Sequence, residues 1–517
     1  MTDPASQFAS QRSKTEARWA LALTIAASSV AFIDMTIVNL ALPVMQRDLG
    51  SSFQEMQWVV EAYVLFLTAL TLTGGGMADV FGRRKVLCMG AGLFLVASVL
   101  AGLAADANQL IAARALQGVG GAMLAPASLA IVSSSFAPEE RGKALGQWAA
   151  FSSISTAFAP ALGGILMDIW SWRAIFFINV PILLFVLILA PRKIRESKRA
   201  SAVDGPISSK VDYWGGMLAV LALAPLTYGL LRAGQSGLDD AIVIASLGFA
   251  VAMVVTFIEV ERRVPAPMMP LPLFRSKVFA GMNAMTLVQF IAISAVMFFL
   301  PMTLIQAFQY TPVQAGAAMI PSMAVMFLTA PKAGKLADRY GPKWLLAVGP
   351  WISAAAFIWF AQVTSTQYVA GVLGPILVMG LGFGTWVSPL TSAVMSAAGE
   401  KNAGVASGIN NAIARLAQLL AIALMGILAT MVFNQALDIE LARAGFDAAS
   451  IDLLAAERDK LGAMSAPEGL AERWVAPLED SVRSAFRQVF AAVCYSAAVL
   501  CVVASFLGYW ATRGIDR

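Results

Sequence analysis

Residues Gly75 to Arg84 read GGMADVFGRR, and residues Gly334 to Lys343 read GKLADRYGPK. Glycine, alanine, aspartate, an aromatic ring, a second glycine and a final base recur in register. Each copy sits between two long apolar runs. A charged loop of one design, placed twice in an apolar chain, reads as a duplicated membrane bundle. The duplication reaches past the loop. Gly142, Ala144, Gly146 and then Gly164-Ile165-Leu166 return as Gly404, Ala406, Gly408 and then Gly426-Ile427-Leu428. The offset is 262 residues at this landmark and 259 at the loop. Such agreement points to one ancestral half repeated in parallel, the plan of a two-lobed transporter.

Composition sets the solvent. Of 517 residues, 59% are hydrophobic and 13% charged, and the mean hydropathy is +0.73. Soluble domains carry about 25% charged residues, so this surface belongs in a bilayer. A spanning helix needs roughly 20 apolar residues. Fourteen such runs start near Trp19, Phe53, Val86, Leu110, Ala144, Ala174, Tyr213, Ala241, Phe279, Pro312, Trp344, Tyr368, Ala403 and Phe486. They are too long for barrel strands. The fold class is therefore an all-α membrane protein. Two six-helix halves leave two helices over, and these are placed at Tyr213 to Glu259.

Lys and Arg in the short loops set the orientation. Bases precede the first run (Arg12, Lys14, Arg18) and follow the even-numbered ones, as at Arg83 to Lys85, Arg141, Arg192 to Arg199, Arg262 and Lys335. Both termini are expected in the cytoplasm. This asymmetry accounts for the net charge of +5 without nucleic-acid binding. The expected organisation is a tail over 1–17, a bundle over 18–191, a basic linker over 192–212 and an inserted hairpin over 213–260. A Pro-rich linker over 261–276 and a bundle over 277–512 follow. The long acidic loop 432–484 has helix-like stretches such as Asp447 to Leu461. It reads as a solvated cap, a docking surface for an accessory protein, or a gate over the exit. The first run is too long for a signal-peptide core and is expected to stay as the first helix. Cys88, Cys494 and Cys501 lie in apolar runs and are expected to be packing residues without a disulfide. No phosphate-binding GxxxxGK[ST] loop occurs, which argues against an internal ATPase.

An ionisable residue inside a membrane is a functional hypothesis by default. The clear cases are Asp34, Glu61, Arg114 and Arg415. The chain has no histidine, so proton work falls to carboxylates. Asp34 and Glu61 each sit on the order of 12 Å below the outer face, at about 1.5 Å per residue. With Arg114 they are expected to share one polar pocket. A cation and a proton would compete for a carboxylate there, and proton affinity would follow solvation as the cavity turns.

Together these motifs resemble the major facilitator superfamily, and within it the fourteen-helix bacterial drug:proton antiporters. The residues are Asp34-Met-Thr36 through Asn39 to Pro43, Trp58 and Tyr63, the loop Gly75 to Arg84, and Arg114 with Gln117 and Gly118. Trp170-Ser-Trp172-Arg173, Phe177-Ile-Asn179-Val-Pro181 and Leu300-Pro301 with Gln306, Tyr310 and Pro312 complete the set. The resemblance covers almost the whole chain. It implies the two-bundle fold with two extra helices, in the bacterial inner membrane, and proton-coupled export of amphipathic, often cationic compounds by alternating access.

On the charges themselves, Asp34, supported by Glu61 and tuned by Arg114, is expected to couple protons and cations, although the family motif does not demand an acid at Glu61. The resemblance also implies roles. Gly75, Asp79, Gly82, Arg83 and Arg84, with Asp338, Arg339 and Gly341, would gate the cytoplasmic side. Gly146, Pro160, Gly163 and Gly164 would pack as the antiporter motif, although Ser155 and Ala159 replace two of its glycines. Asn39, Met123, Asn283, Gln289, Met297, Phe298, Trp386 and Arg415 would line the substrate cavity. No enzyme activity, catalytic group, cofactor or metal site is expected. The expected partners are a small amphipathic substrate, protons and lipid, with a periplasmic adaptor left open, and the expected state is a monomer. The alternatives are export of a lipid, siderophore or self-made antibiotic, import of an organic anion, or a non-transporting receptor or scaffold.

Overall fold

The computed structural model describes residues 4–197, 213–264, 269–399 and 402–513. Among these, fourteen helices are long and apolar enough to cross a membrane, and no strand occurs. They are α1 (Thr15–Leu49), α2 (Phe53–Phe81), α3 (Arg83–Gly102), α4 (Ala107–Ser135), α5 (Glu140–Ile169), α6 (Ala174–Lys193), α7 (Tyr213–Ser236) and α8 (Ala241–Arg263). Then come α9 (Lys277–Ala307), α10 (Pro312–Tyr340), α11 (Lys343–Ala361), α12 (Tyr368–Ala398), α13 (Val405–Ala444) and α14 (Glu472–Ala511). The helix holding α1 itself begins at Pro4, so the expected tail over 1–17 is helical from there on. Lys198, Arg199 and Lys210 of the basic linker, and Pro265 of the Pro-rich one, lie outside the described residues.

Local chemistry starts these helices. Asp106 accepts from the Gln109 backbone N–H at 2.9 Å ahead of α4. Ser276 does the same for Phe279 at the start of α9, and Thr311 with Gln314 forms a reciprocal capping box before Pro312 of α10. Such caps satisfy amides that have no intrahelical partner. Inside the helices, the hydroxyls of Thr24, Thr36 and Thr68 donate to the carbonyl four residues back. In hydrocarbon a polar group must be satisfied internally.

Contacts divide the chain into two compact units. One contains Met1–Val38, Ala62–Ala224 and Ala250–Met268. Within it α3 packs along α4 and α6. A Cβ added to Gly120 of α4 would lie 2.9 Å from the Phe94 nitrogen, so only a small residue admits this approach of backbones. The other unit contains Asn39–Glu61, Pro225–Phe249 and Met269–Arg517. Within it α9 packs on α13 and α14, and α11 on α12 and α14.

The end of α1 and the start of α2, their far ends, belong to this second unit. Gln57 Nε2 donates to the Ile422 carbonyl at 2.8 Å. The Phe53 ring sits 6.1 Å from Phe298 and 5.8 Å from Phe299. Packing therefore does not follow the chain order of the bundles expected over 18–191 and 277–512.

The helices of the inserted hairpin, α7 and α8, are tied by Arg232 and Asp240 at 2.9 Å. The hydrogen bond from Arg232 and those from the Val243 and Ile242 amides hold the Asp240 carboxyl down at about 2. Only 11% of the most apolar window of α8 is buried, and Ile244, Val251 and Val255 stand exposed. A continuous apolar face of this kind suits lipid. Exposed Trp170, Trp214, Trp344 and Trp510 stand at or near helix ends, where indole rings fit the membrane–water interface.

The loop expected over 432–484 is shorter. Residues up to Ala444 continue α13, and α14 starts at Glu472. The extensions are carried by pairs one turn apart, Arg443 with Glu440 and Arg483 with Glu479, which support helix where apolarity gives out. The remaining loop holds a short helix, Ala448–Leu454, and a 3₁₀ stretch, Ala455–Ala463. The loop folds onto its own unit. Lys460 O accepts from Gln46 Nε2 at 2.9 Å, and Leu461 is buried at φ +48°.

Candidate functional site

Five helices meet around Asp34. Tyr63 of α2 donates its hydroxyl to the Ala31 carbonyl of α1 at 3.1 Å. Gly118 of α4 lies so close to Tyr63 that a Cβ would come within 2.5 Å of its carbonyl oxygen. This approach sets the Arg114 guanidinium 4.3 Å from the centre of the Tyr63 ring, where the π face attracts a cation. Arg114 Nη1 is ion-paired with Asp34 Oδ2 and donates to Gln117 Oε1 at 2.7 Å. Gln117 Nε2 donates to Ser98 Oγ of α3 at 2.9 Å and to Asp34 Oδ1 at 3.4 Å. Asn179 Nδ2 of α6 donates to the same Asp34 oxygen at 3.3 Å. Asp34, Tyr63, Ser98, Arg114 and Gln117 are wholly buried, and Asn179 nearly so.

This network has a definite chemistry. Two opposite charges out of water hold together only when geometry and further hydrogen bonds offset their lost hydration. Here Gln117 bonds both ions and Asn179 bonds Asp34, while Ser98 Oγ accepts from both amides. A proton on Asp34 would cancel its charge and leave Arg114 uncompensated. Parting α1 from α4 would instead separate two ionised groups.

The sequence placed Asp34 and Arg114 in one pocket, and they are in contact. It placed Glu61 there too. Glu61 is fully buried, and neither of its carboxylate oxygens has a hydrogen-bond partner among the described residues. Ser98 was missed altogether. A serine in an apolar helix bonds its own backbone more often than a neighbour, so nothing in the sequence marks it.

The loop motif is local in this structure. Asp79 pairs with Arg83 one turn on, at 3.0 Å, and Arg83 also donates to the Ala130 carbonyl. Arg84 donates to the carbonyls of Pro191 and Ile194. Glu196 caps the N-terminus of α3. Its carboxylate accepts from the amides of Arg84 at 3.1 Å and Lys85 at 3.2 Å. It lies across Gly82, whose φ is +117° and whose added Cβ would meet Glu196 at 2.6 Å. The positive φ calls for glycine. In the second copy, Gly341 turns at φ +80°, Arg339 lies over the Tyr340 ring, and Asp338 has no ion pair among the described residues. Glu196→Ala should uncap α3, where a carboxylate meets the positive end of the helix. Hydrogen exchange of the Arg84 and Lys85 amides should speed about tenfold, as loss of one charge-assisted bond predicts, and unchanged exchange would remove this role.

The fifth-helix motif packs α5 on α1. A Cβ on Gly163 would strike Ile37, while Gly146 faces open space, and Pro160 and Gly164 are buried. Ser155, in place of a glycine, bonds Ser29 of α1 at 3.1 Å, so close packing survives the change.

The expected cavity residues are mostly packed. Asn283, Gln289, Phe298 and Trp386 are at most 2% exposed. Asn283 Oδ1, Gln289 Oε1 and Trp386 Nε1 lack hydrogen-bond partners among the described residues. Met123 faces Gly90 of α3. Asn39, Met297 and Arg415 are half-buried. Among the described residues no cluster of ligating side chains could hold a metal ion.

The family model described as Major Facilitator Superfamily matches residues 24–422. The chain is 34% identical to the puromycin resistance protein pur8 of Streptomyces alboniger over 80% of its own length and 82% of that protein's. It is 29% identical to the multidrug efflux pump LfrA of Mycolicibacterium smegmatis over 96% of both chains. Among solved structures, a bacterial homologue of the human lysosomal transporter Spinster, in an inward-facing and unoccupied conformation, aligns with a TM-score of 0.65. That alignment covers 97% of this chain and 98% of the other at 15% identity, a likeness of fold.

Proposed function

The chain belongs to the major facilitator superfamily, and on that premise we propose that it exports amphipathic, often cationic drugs or toxic compounds in exchange for protons. It is a multi-pass protein of the bacterial inner membrane. The resistance and efflux names of its relatives support the cargo class. The observation that carries the coupling is the buried Asp34–Arg114 pair with its three polar supports.

The cycle follows from that pair. With Asp34 charged and paired to Arg114, α1, α3, α4 and α6 are held together. A proton arriving from the periplasm takes the place of the guanidinium at Asp34 and frees α1 to move. Release of that proton to the cytoplasm restores the pair. A bound cation competes with the proton for the same charge, so the two exchange. Arg83, Arg84 and Asp79 act at the cytoplasmic ends, and the linker carboxylate Glu196 fixes the turn they stand on. Asp338 and Arg339 serve the second copy of the gate. Asn39, Met297, Phe298, Trp386 and Arg415 line the drug path when the helices part. Both termini lie in the cytoplasm, and the protein works as a monomer.

The test uses inverted vesicles holding the native chain and an imposed proton gradient. Adding a lipophilic cation such as ethidium should dissipate the gradient, and an organic anion of equal size should not. A gradient collapsed by the anion alone would overturn the cation reading.

A further inference from the structure

We propose that the pocket walled by α2, α7, α13 and the Ala455–Ala463 stretch is a second binding site, for an amphipathic organic cation bearing N–H donors. The proposal stands on this pocket and does not depend on the Asp34 network. The pocket has a volume of about 420 Å³, within the range of small-molecule sites, roughly 300–1,000 Å³. Phe53, Leu231 and Ile427 give it an apolar wall, and Gln54, Asn434 and Asp459 a polar one.

The polar groups select the charge. Asn434 Oδ1 is buried and has no hydrogen-bond partner among the described residues. A buried acceptor left without a donor costs about 1–3 kcal/mol, so it favours a ligand that brings an N–H. The nearby bases are already occupied. Arg458 is held by Asp438 at 2.7 Å, and Lys460 by Glu457 at 2.9 Å. Asp459 has no ion pair among the described residues. Partial burial pushes its carboxyl up, Glu457 and Glu55 push in the same direction, and Lys460 opposes them. With both bases paired, Asp459 is the carboxylate left on this wall to meet a cation. An anion would meet the carboxylates, and a neutral hydrocarbon would leave Asn434 unsatisfied. The wall of Phe53, Leu231 and Ile427 takes the apolar body.

The test is equilibrium binding of 4-phenylbutylammonium to the purified full chain in nanodiscs, by calorimetry. The native protein should show a binding event that Asp459→Asn or Asn434→Leu weakens at least about tenfold, the scale of one lost charge or donor contact. Asp34→Asn should leave that event intact. The trimethylated analogue, which has no N–H, should bind it more weakly. Binding unchanged in both pocket variants would overturn the proposal. So would binding abolished by Asp34→Asn alone, which would assign the whole signal to the other carboxylate. Equal affinity for the trimethylated analogue would overturn the role of the Asn434 oxygen and, with it, the donor-bearing class of ligand.

Discussion

Asp34→Asn abolishes drug-driven proton movement and drug resistance, compared at matched amounts of protein in the membrane because removing the counter-charge of buried Arg114 also lowers stability. Asparagine keeps the shape of aspartate and one acceptor oxygen, so Gln117 and Asn179 retain a partner. It has no carboxylate to protonate. Resistance of an efflux-deficient bacterium should fall to the level of cells lacking the protein, and the vesicle proton signal should vanish. Glu61→Gln is the informative contrast. Both Glu61 oxygens are buried without a hydrogen-bond partner among the described residues, a setting that disfavours a charge, so a neutral amide of the same shape suits the site. That variant should be at least as heat-stable as the native chain and should keep part of its transport. If Asp34→Asn retained full drug-coupled proton flux, the proton would have to travel by another group, and Glu61 would be the first to examine.

The difference between these two carboxylates marks what a membrane sequence discloses. Fourteen helices were readable because a bilayer demands a fixed length of apolar chain, and α1 to α12 start within a few residues of the runs. The extensions of α13 to Ala444 and of α14 from Glu472 were not, because the pairs Arg443–Glu440 and Arg483–Glu479 sustain them rather than apolarity. Asp34 and Arg114 stood out because charge is costly in hydrocarbon. Their contact depends on how α1 and α4 face each other, and that is fixed by Gly118 against Tyr63. Nothing along one helix reports such a register, so depth alone gives Glu61 no hydrogen-bond partner among the described residues. Glu196 was hidden for a different reason. It lies in a charged linker 111 to 112 residues from the amides it caps, and among so many charges no spacing singles it out. The duplicated loop motif remains the clearest mark of the fold. Its first copy is tied down by Asp79, Pro191, Ile194 and Glu196, while in the second Arg339 lies over the Tyr340 ring and Lys343 over the Tyr509 ring.

Arg114→Met separates the structural from the coupling role of the buried pair. Methionine fills much of the arginine stem but leaves Asp34 charged and unpaired at zero exposure. Removing one partner of a buried ion pair costs about 3–5 kcal/mol, and loss of the contact with the Tyr63 ring adds to this. The single variant should unfold at a clearly lower temperature in detergent and accumulate poorly. The double variant Asp34→Asn, Arg114→Met leaves neither charge stranded, and replacing a buried pair by neutral groups is often close to neutral. It should recover most of the lost stability, a coupling of about 2 kcal/mol or more between residues in direct contact. Transport should not return with it. A pair that served only to staple α1 to α4 would be replaceable by neutral packing, and the double variant would pump. A pair that carries the proton is not replaceable, so a stable and inactive double variant is the outcome the geometry requires. Equal destabilisation in the single and double variants would instead place the loss in the packing against Tyr63, and the Asp34 charge would no longer be what holds these helices together.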